Sequence, residues 1–89
     1  MADLVEEYIA DMPQIVKVLE SAITNADWQE LQRQAHRIKG SAGGYGFPSV
    51  SVAAGALEIA LSYASPEKIS ERTTRLLVLC RRIRSTRSN

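Results

Sequence analysis

The spacing of the apolar residues constrains the fold of this chain more than any other feature. Apolar side chains recur at three- and four-residue steps in every patterned segment, and no segment alternates with a period of two. A repeat near 3.6 residues is typical of amphipathic helices that bury one face, whereas half-buried strands alternate. The sequence therefore predicts an all-α fold without a sheet.

The opening of the chain predicts two helices. A first apolar pattern stops near Pro13, and a second runs over 13–24. Because proline cannot donate an interior helical hydrogen bond, we expect a short additional N-terminal helix followed by the first bundle helix. The apolar positions are Leu4, Val5, Tyr8, Ile9 and Met12 in the opening segment and Ile15, Val16, Leu19, Ala22 and Ile23 in the next.

Capping residues predict the starts of three further helices. Asp27 and Glu30 have the spacing of an N-cap and its N3 partner. Pro48 suits a first helical turn, and Ser65-Pro66-Glu67 combines an N-cap, a proline at N1 and an acidic first turn. The inward positions are Trp28, Leu31, Ala35, Ile38, Ala42 and Tyr45, then Val50, Ala53, Ala54, Leu57 and Leu61, then Ile69, Thr73, Leu76, Cys80 and Ile83.

Chain length and loop length together predict the architecture. With 89 residues the chain has room for one hydrophobic core. Connections of a few residues favour antiparallel neighbours. We therefore expect an antiparallel up-and-down four-helix bundle with a short additional N-terminal helix, forming a single domain over residues 1–89 with a polar tail from about 85.

Composition and charge exclude several classes of protein. The chain is 45% apolar and 24% charged, which permits a packed core, and its formal net charge of +1 gives no overall attraction to nucleic acid or anionic membranes. No apolar run approaches the ~20 residues of a membrane span. Cys80 is the only cysteine and cannot form an intramolecular disulfide. A cytoplasmic, monomeric protein is the expectation.

His36, the only histidine, lies off the core stripe of its helix. At ~100° per residue, it falls more than a quarter-turn from the centre of the stripe, which predicts an exposed imidazole. Lys39, Gly40 and Gly43 share its face at helical spacing. An imidazole that is neutral near pH 7 keeps a nucleophilic lone pair, and a nearby ammonium can stabilise transferred phosphoryl oxygens.

The glycines on this face predict close approach by another molecule. Glycine inside a helix costs about 1 kcal/mol relative to alanine, so Gly40 and Gly43 need a local reason. Small residues around His36 would let a partner reach the ring, and Gln29 and Gln32 extend the same face as candidate docking residues. The simpler alternative, that Gly43, Gly44 and Gly46 merely end the helix, does not explain Gly40.

The segment from His36 to Gly46, HRIKGSAGGYG, resembles the signature of histidine-containing phosphotransfer (HPt) domains: His-x-x-Lys-Gly with a further glycine ten residues after the histidine. The resemblance implies that His36 is the phosphoacceptor, that Lys39 is the cation on the phosphate side, and that Gly40 and Gly43 permit docking. It also implies a phosphorelay carrier that takes a phosphoryl group from a receiver-domain aspartyl-phosphate and passes it to another receiver aspartate.

The same resemblance sets expectations for cofactors and partners. In that family Mg²⁺ belongs to the receiver, so this chain is expected to hold no metal and no cofactor. The expected partners are response-regulator receiver domains, with a hybrid histidine kinase as a further candidate. The chain contains no nucleotide-binding signature, so we expect a carrier and not an autonomous kinase.

Two other functions stay open at this point. The first is a helical interaction module that docks through the His36 face without covalent chemistry. The second is a nucleic-acid binder that acts through the C-terminal arginines, which is disfavoured because no aromatic residues interleave with those charges.

Overall fold

The computed structural model describes residues 4–87, with side chains described as far as Ile83. Four helices make up this part of the chain: α1 (Leu4–Thr24), α2 (Trp28–Ala42), α3 (Pro48–Tyr63) and α4 (Pro66–Arg87). Each helix packs against the next, and α4 closes the ring against α1. Loops of a few residues make consecutive helices antiparallel. The predicted all-α four-helix bundle is confirmed.

The predicted helix starts are confirmed at their caps. The Glu30 backbone N–H donates to Asp27 Oδ1 at 3.2 Å, and the Lys68 N–H donates to Ser65 Oγ at 3.4 Å. Pro48 occupies the first turn of α3, where a missing N–H leaves no interior hydrogen bond unmade. These caps place the start of α2 eight residues before His36.

The separate N-terminal helix is a wrong prediction, because α1 runs unbroken from Leu4 to Thr24 with Pro13 inside it. Proline removes a single backbone donor, and the turns on both sides keep their own hydrogen bonds. Met12 on one side of the proline and Leu19 on the other are both fully buried. One apolar stripe therefore packs along the whole of α1, and this burial outweighs the local cost of proline.

The core is built from the apolar stripes of all four helices. The predicted stripe of α2 is confirmed from Leu31 to Ala42 but is wrong at Trp28, which is 39% exposed because it lies in the first turn at the rim of the bundle. On α3, Leu61 is only partly buried, and Ala60 is fully buried. The buried apolar residues are Met12, Leu19, Ala22, Leu31, Ala35, Ile38, Ala42, Val50, Ala53, Ala54, Leu57, Ala60, Ile69, Leu76, Leu77, Cys80 and Ile83.

The end of α2 differs from the prediction that its stripe continues as helix to Tyr45. The helix ends at Ala42, and hydrogen-bonded turns follow over 43–46. The Phe47 N–H donates to the Ala42 carbonyl at 2.9 Å, the Gly46 N–H donates to the Gly43 carbonyl at 3.2 Å, and Gly46 has a φ of +92°. This is a Schellman closure with glycine at the left-handed position. Tyr45 still turns inward and stacks on Tyr8 with ring centroids 4.4 Å apart.

Over the described residues, no helix has the length and apolar content needed to cross a membrane.

Candidate functional site

His36 lies on the outer flank of α2, as the helical spacing predicts. Its side chain is 74% exposed. The neighbouring positions Ala35 and Ile38 are buried, so the helix is held against the core while the imidazole stays at the surface. The ring is therefore accessible to a large partner without any opening of the bundle.

One carboxylate of α3 fixes the imidazole. His36 Nδ1 lies 2.8 Å from Glu58 Oε2. An ionised carboxylate can only accept, so Nδ1 is the donor in this hydrogen bond. The other ring nitrogen, Nε2, then keeps its lone pair. The contact thus selects both the tautomer and the orientation of a nucleophilic imidazole.

The same carboxylate lies beside Lys39. The Lys39 Nζ is 3.7 Å from Glu58 Oε1, and the lysine side chain is 56% exposed. Exposed pairs of this kind contribute at most about 1 kcal/mol, because water screens them. The pair therefore adds little to the free energy of unfolding, and its main effect is to hold the Lys39 ammonium near His36, which lies one helical turn away.

Three residues of α3 belong to this site and were missed by sequence reasoning: Ser51, Gly55 and Glu58. They share one face of α3 at i, i+4 and i+7, and this face abuts α2. The Ser51 hydroxyl donates to the Lys39 carbonyl at 2.8 Å. One signal in the sequence could have found Glu58, since it is the only charged residue in the sixteen residues of α3.

Among the described residues, neither Gly40 nor Gly43 has to be glycine to avoid a clash. A Cβ on Gly40 would meet no atom within 4 Å, and a Cβ on Gly43 would only touch the Ser51 side chain at ordinary distances of 3.7 and 3.8 Å. Gly43 has φ −61° and ψ −41°, which any residue adopts, so the alternative that it is a left-handed terminator is wrong. The left-handed position at the end of α2 is occupied by Gly46. The absence of side chains at Gly40 and Gly43 thus leaves open surface beside His36.

Gln29 and Gln32 also lie beside His36. Both are exposed and line a shallow depression of about 410 Å³ together with His36 and Glu58. The depression is open, and it lies on the α2–α3 side of the bundle. The structure thus brings all six of the predicted site residues onto one surface that also includes Glu58.

No group of three or more histidine, cysteine, aspartate or glutamate side chains among the described residues could hold a metal ion. The two polar partners of Glu58, an imidazole and an ammonium, are both cationic when protonated. The site is therefore arranged to place positive charge and a nucleophile near an incoming anion.

Comparison with known proteins gives one match. The family model described as Hpt domain matches residues 3–86. No curated protein and no solved structure matches the chain. The matched range contains all of α2 and α3, the two helices that form the His36 site.

Proposed function

Since the chain belongs to the Hpt domain family, we propose that it carries a phosphoryl group on His36, accepting it from the aspartyl-phosphate of one receiver domain and donating it to the aspartate of another. Membership in the family implies phosphotransfer within a two-component phosphorelay and interaction with receiver domains. Hpt domains are phosphoryl carriers and not autonomous kinases. The proposal adds the acceptor atom, the residues that assist it and the order of transfer.

The hydrogen bond between His36 and Glu58 is the observation that carries the proposal. With Nδ1 donating to Glu58 Oε2 at 2.8 Å, Nε2 is the nucleophilic nitrogen. The Nε2 lone pair attacks the phosphorus of the acyl phosphate, a P–N bond forms, and the P–O bond to the receiver aspartate breaks, which releases that aspartate as a carboxylate. The ring gains positive charge as it attacks, and the Glu58 carboxylate stabilises this charge while Nδ1 keeps its proton.

Lys39 assists on the phosphate side. Its ammonium lies 3.7 Å from Glu58 and one helical turn from His36, which is within reach of the oxygens of a group bonded to the ring. Phosphoryl transfer places negative charge on those oxygens, and a fixed cation lowers the energy of that state. Return of the group to a second receiver is the same displacement in reverse, with a receiver carboxylate as nucleophile and neutral His36 as leaving group.

Gly40 and Gly43 provide the approach, and Gln29 and Gln32 form the rim of the docking surface. A receiver must bring its aspartate within bonding reach of Nε2, which brings its loops against α2. Neither glycine has an internal structural reason to lack a side chain. Space for a partner explains why a residue that costs about 1 kcal/mol in a helix stands at these positions.

The direct test is transfer of labelled phosphate from phosphorylated receiver domains to this chain. His36 is the only histidine, so a phosphohistidine, which is acid-labile and base-stable, can form only there. We expect such a label on the natural chain and none on His36→Gln, with both proteins equally folded by circular dichroism. A base-labile label would place the group on a carboxylate, and a labelled His36→Gln protein would refute the assignment. If His36→Gln still supports signalling, the chain is a docking module instead.

A further inference from the structure

The structure assigns a positioning role to Gly55, an inference that rests on the proposed function of His36 and Lys39. We propose that the small residue at position 55 leaves a notch in α3 across which the Lys39 side chain lies, and that the lack of a longer side chain there keeps the lysine ammonium beside His36. Gly55 itself touches no reacting atom. It acts through Lys39.

The contacts of Lys39 with α3 are the basis of this inference. A Cβ built on Gly55 would lie 3.5, 3.8 and 3.9 Å from Lys39 Cδ, Cε and Cγ, respectively. The aliphatic part of the lysine therefore passes over Gly55, where a side chain longer than that of alanine would extend. Lying along the surface of α3 limits the paths open to the flexible four-carbon chain.

Two further contacts hold the same residue at its ends. The Ser51 hydroxyl donates to the Lys39 carbonyl at 2.8 Å, and Glu58 Oε1 lies 3.7 Å from the Lys39 Nζ. Ser51, Gly55 and Glu58 thus contact the backbone, the aliphatic chain and the ammonium of Lys39 in order along one face of α3. A free lysine samples many rotamers, and these three contacts select those that point towards His36.

Within the described residues, the environment of Gly55 points to Lys39. Gly55 lies inside α3, its φ is not in the left-handed region, and the three atoms nearest to an added Cβ all belong to the Lys39 side chain. An interior glycine costs about 1 kcal/mol relative to alanine. Alanine would fit at ordinary contact distance, whereas a longer side chain would occupy the path of the lysine.

The test is a double-mutant cycle read without a receiver. The probe is phosphoramidate, a small phosphoryl donor, and the readouts are the rate of His36 phosphorylation and the lifetime of the phosphohistidine. We expect Gly55→Ala to stay within twofold of the natural chain. We expect Gly55→Leu to reproduce the change caused by Lys39→Ala, roughly three- to tenfold for a partly exposed cation. In the Lys39→Ala background, Gly55→Leu should add less than twofold.

Two outcomes of the cycle would overturn the inference: Gly55→Leu behaving like the natural chain, or Gly55→Leu adding its full effect when Lys39 is already alanine. Thermal melts check that each variant is folded. Nuclear Overhauser contacts between the Lys39 methylenes and the Gly55 Hα test the notch in the unphosphorylated protein. If the natural chain accepts no phosphoryl group but shows these contacts, the proposed function fails and the positioning contact stands. If transfer is normal and the contacts are absent, the proposed function stands and the positioning role of Gly55 fails.

Discussion

Gly43 and Gly46 lie three residues apart and are expected to respond in opposite ways to a side chain. Gly43 has right-handed helical angles, φ −61° and ψ −41°, and a Cβ there would meet the Ser51 side chain at ordinary contact distance. Gly46 has a φ of +92° and closes the end of α2. We expect Gly43→Gln to keep or raise stability and to impair transfer from a receiver, and Gly46→Ala to lower stability and to spare transfer.

The magnitudes follow from the backbone angles. Replacing glycine by a better helix former adds up to about 1 kcal/mol in a helix interior, and about half of that at Gly43, just past the last residue of α2. A side chain at a left-handed position costs about 1–2 kcal/mol, partly offset by a gain of about 0.4–1 kcal/mol from restricting the unfolded chain, so Gly46→Ala should lose about 1 kcal/mol. The two variants should differ by about 1.5 kcal/mol, or about 6–12 °C in Tm.

Thermal melts and receiver-to-His36 transfer kinetics on the two variants test this reasoning. Gly43→Ala is the matched control, because it adds helix propensity with only one methyl group, and we expect it to transfer faster than Gly43→Gln. A Gly43→Gln protein that melts lower than the natural chain would contradict the argument from the backbone angles, and one that accepts phosphoryl groups from a receiver at the natural rate would refute the docking role of Gly43. Phosphoramidate labelling, which needs no docking, should be unaffected by either substitution.

Three other predictions concern single side chains. Glu58→Gln keeps an acceptor for Nδ1 but loses the charge, so transfer kinetics should show a roughly three- to tenfold slowing with little change in Tm; equal rates would contradict the role of the carboxylate. Ala26 has a φ of 52° at the end of α1, so Ala26→Gly should raise the free energy of unfolding by about 0.5–1 kcal/mol in urea titrations. Burial raises the pKa of Cys80 from about 9 to about 11, so the native thiol should resist Ellman's reagent at pH 8. Because the folded state binds the thiol proton more tightly than the unfolded chain, the protonated thiol contributes to the free energy of unfolding in full below about pH 9. This contribution is lost as the pH rises through about 11, and the loss should be missing in Cys80→Ala.

Local patterns were sufficient to predict where α2, α3 and α4 begin, because periodicity and caps are properties of consecutive residues. Asp27 and Ser65 accept the capping hydrogen bonds that their positions predict. The prediction that a helix ends near Pro13 was wrong because it depended on tertiary packing, which is not a property of consecutive residues. Whether a proline ends a helix depends on what packs beyond it, and the burial of Met12 and Leu19 comes from the other helices.

In the candidate site, too, the residues of one helix could be predicted from spacing, whereas the contact between helices could not. His36, Lys39 and the two glycines lie on one helix, so their shared face follows from residue spacing alone. Glu58 is 22 residues from His36, and its contact depends on the register between α2 and α3, which neither helix encodes by itself. As the one charged residue of α3, Glu58 is expected to have a polar partner, but the sequence of α3 does not show which residue that is.

The distribution of groups around His36 explains how one small bundle can serve as a carrier. Glu58 is an anion that contacts both the imidazole and the Lys39 ammonium. A phosphoryl group on Nε2 brings negative charge of its own, so we expect Lys39 to turn from Glu58 to the phosphoryl oxygens and leave the carboxylate to Nδ1–H. All three side chains are at least partly exposed, so these exchanges involve small energies. A site that stabilised phosphohistidine strongly would retain the group, whereas weak and exchangeable contacts keep transfer nearly balanced in both directions, as a relay between two aspartates requires.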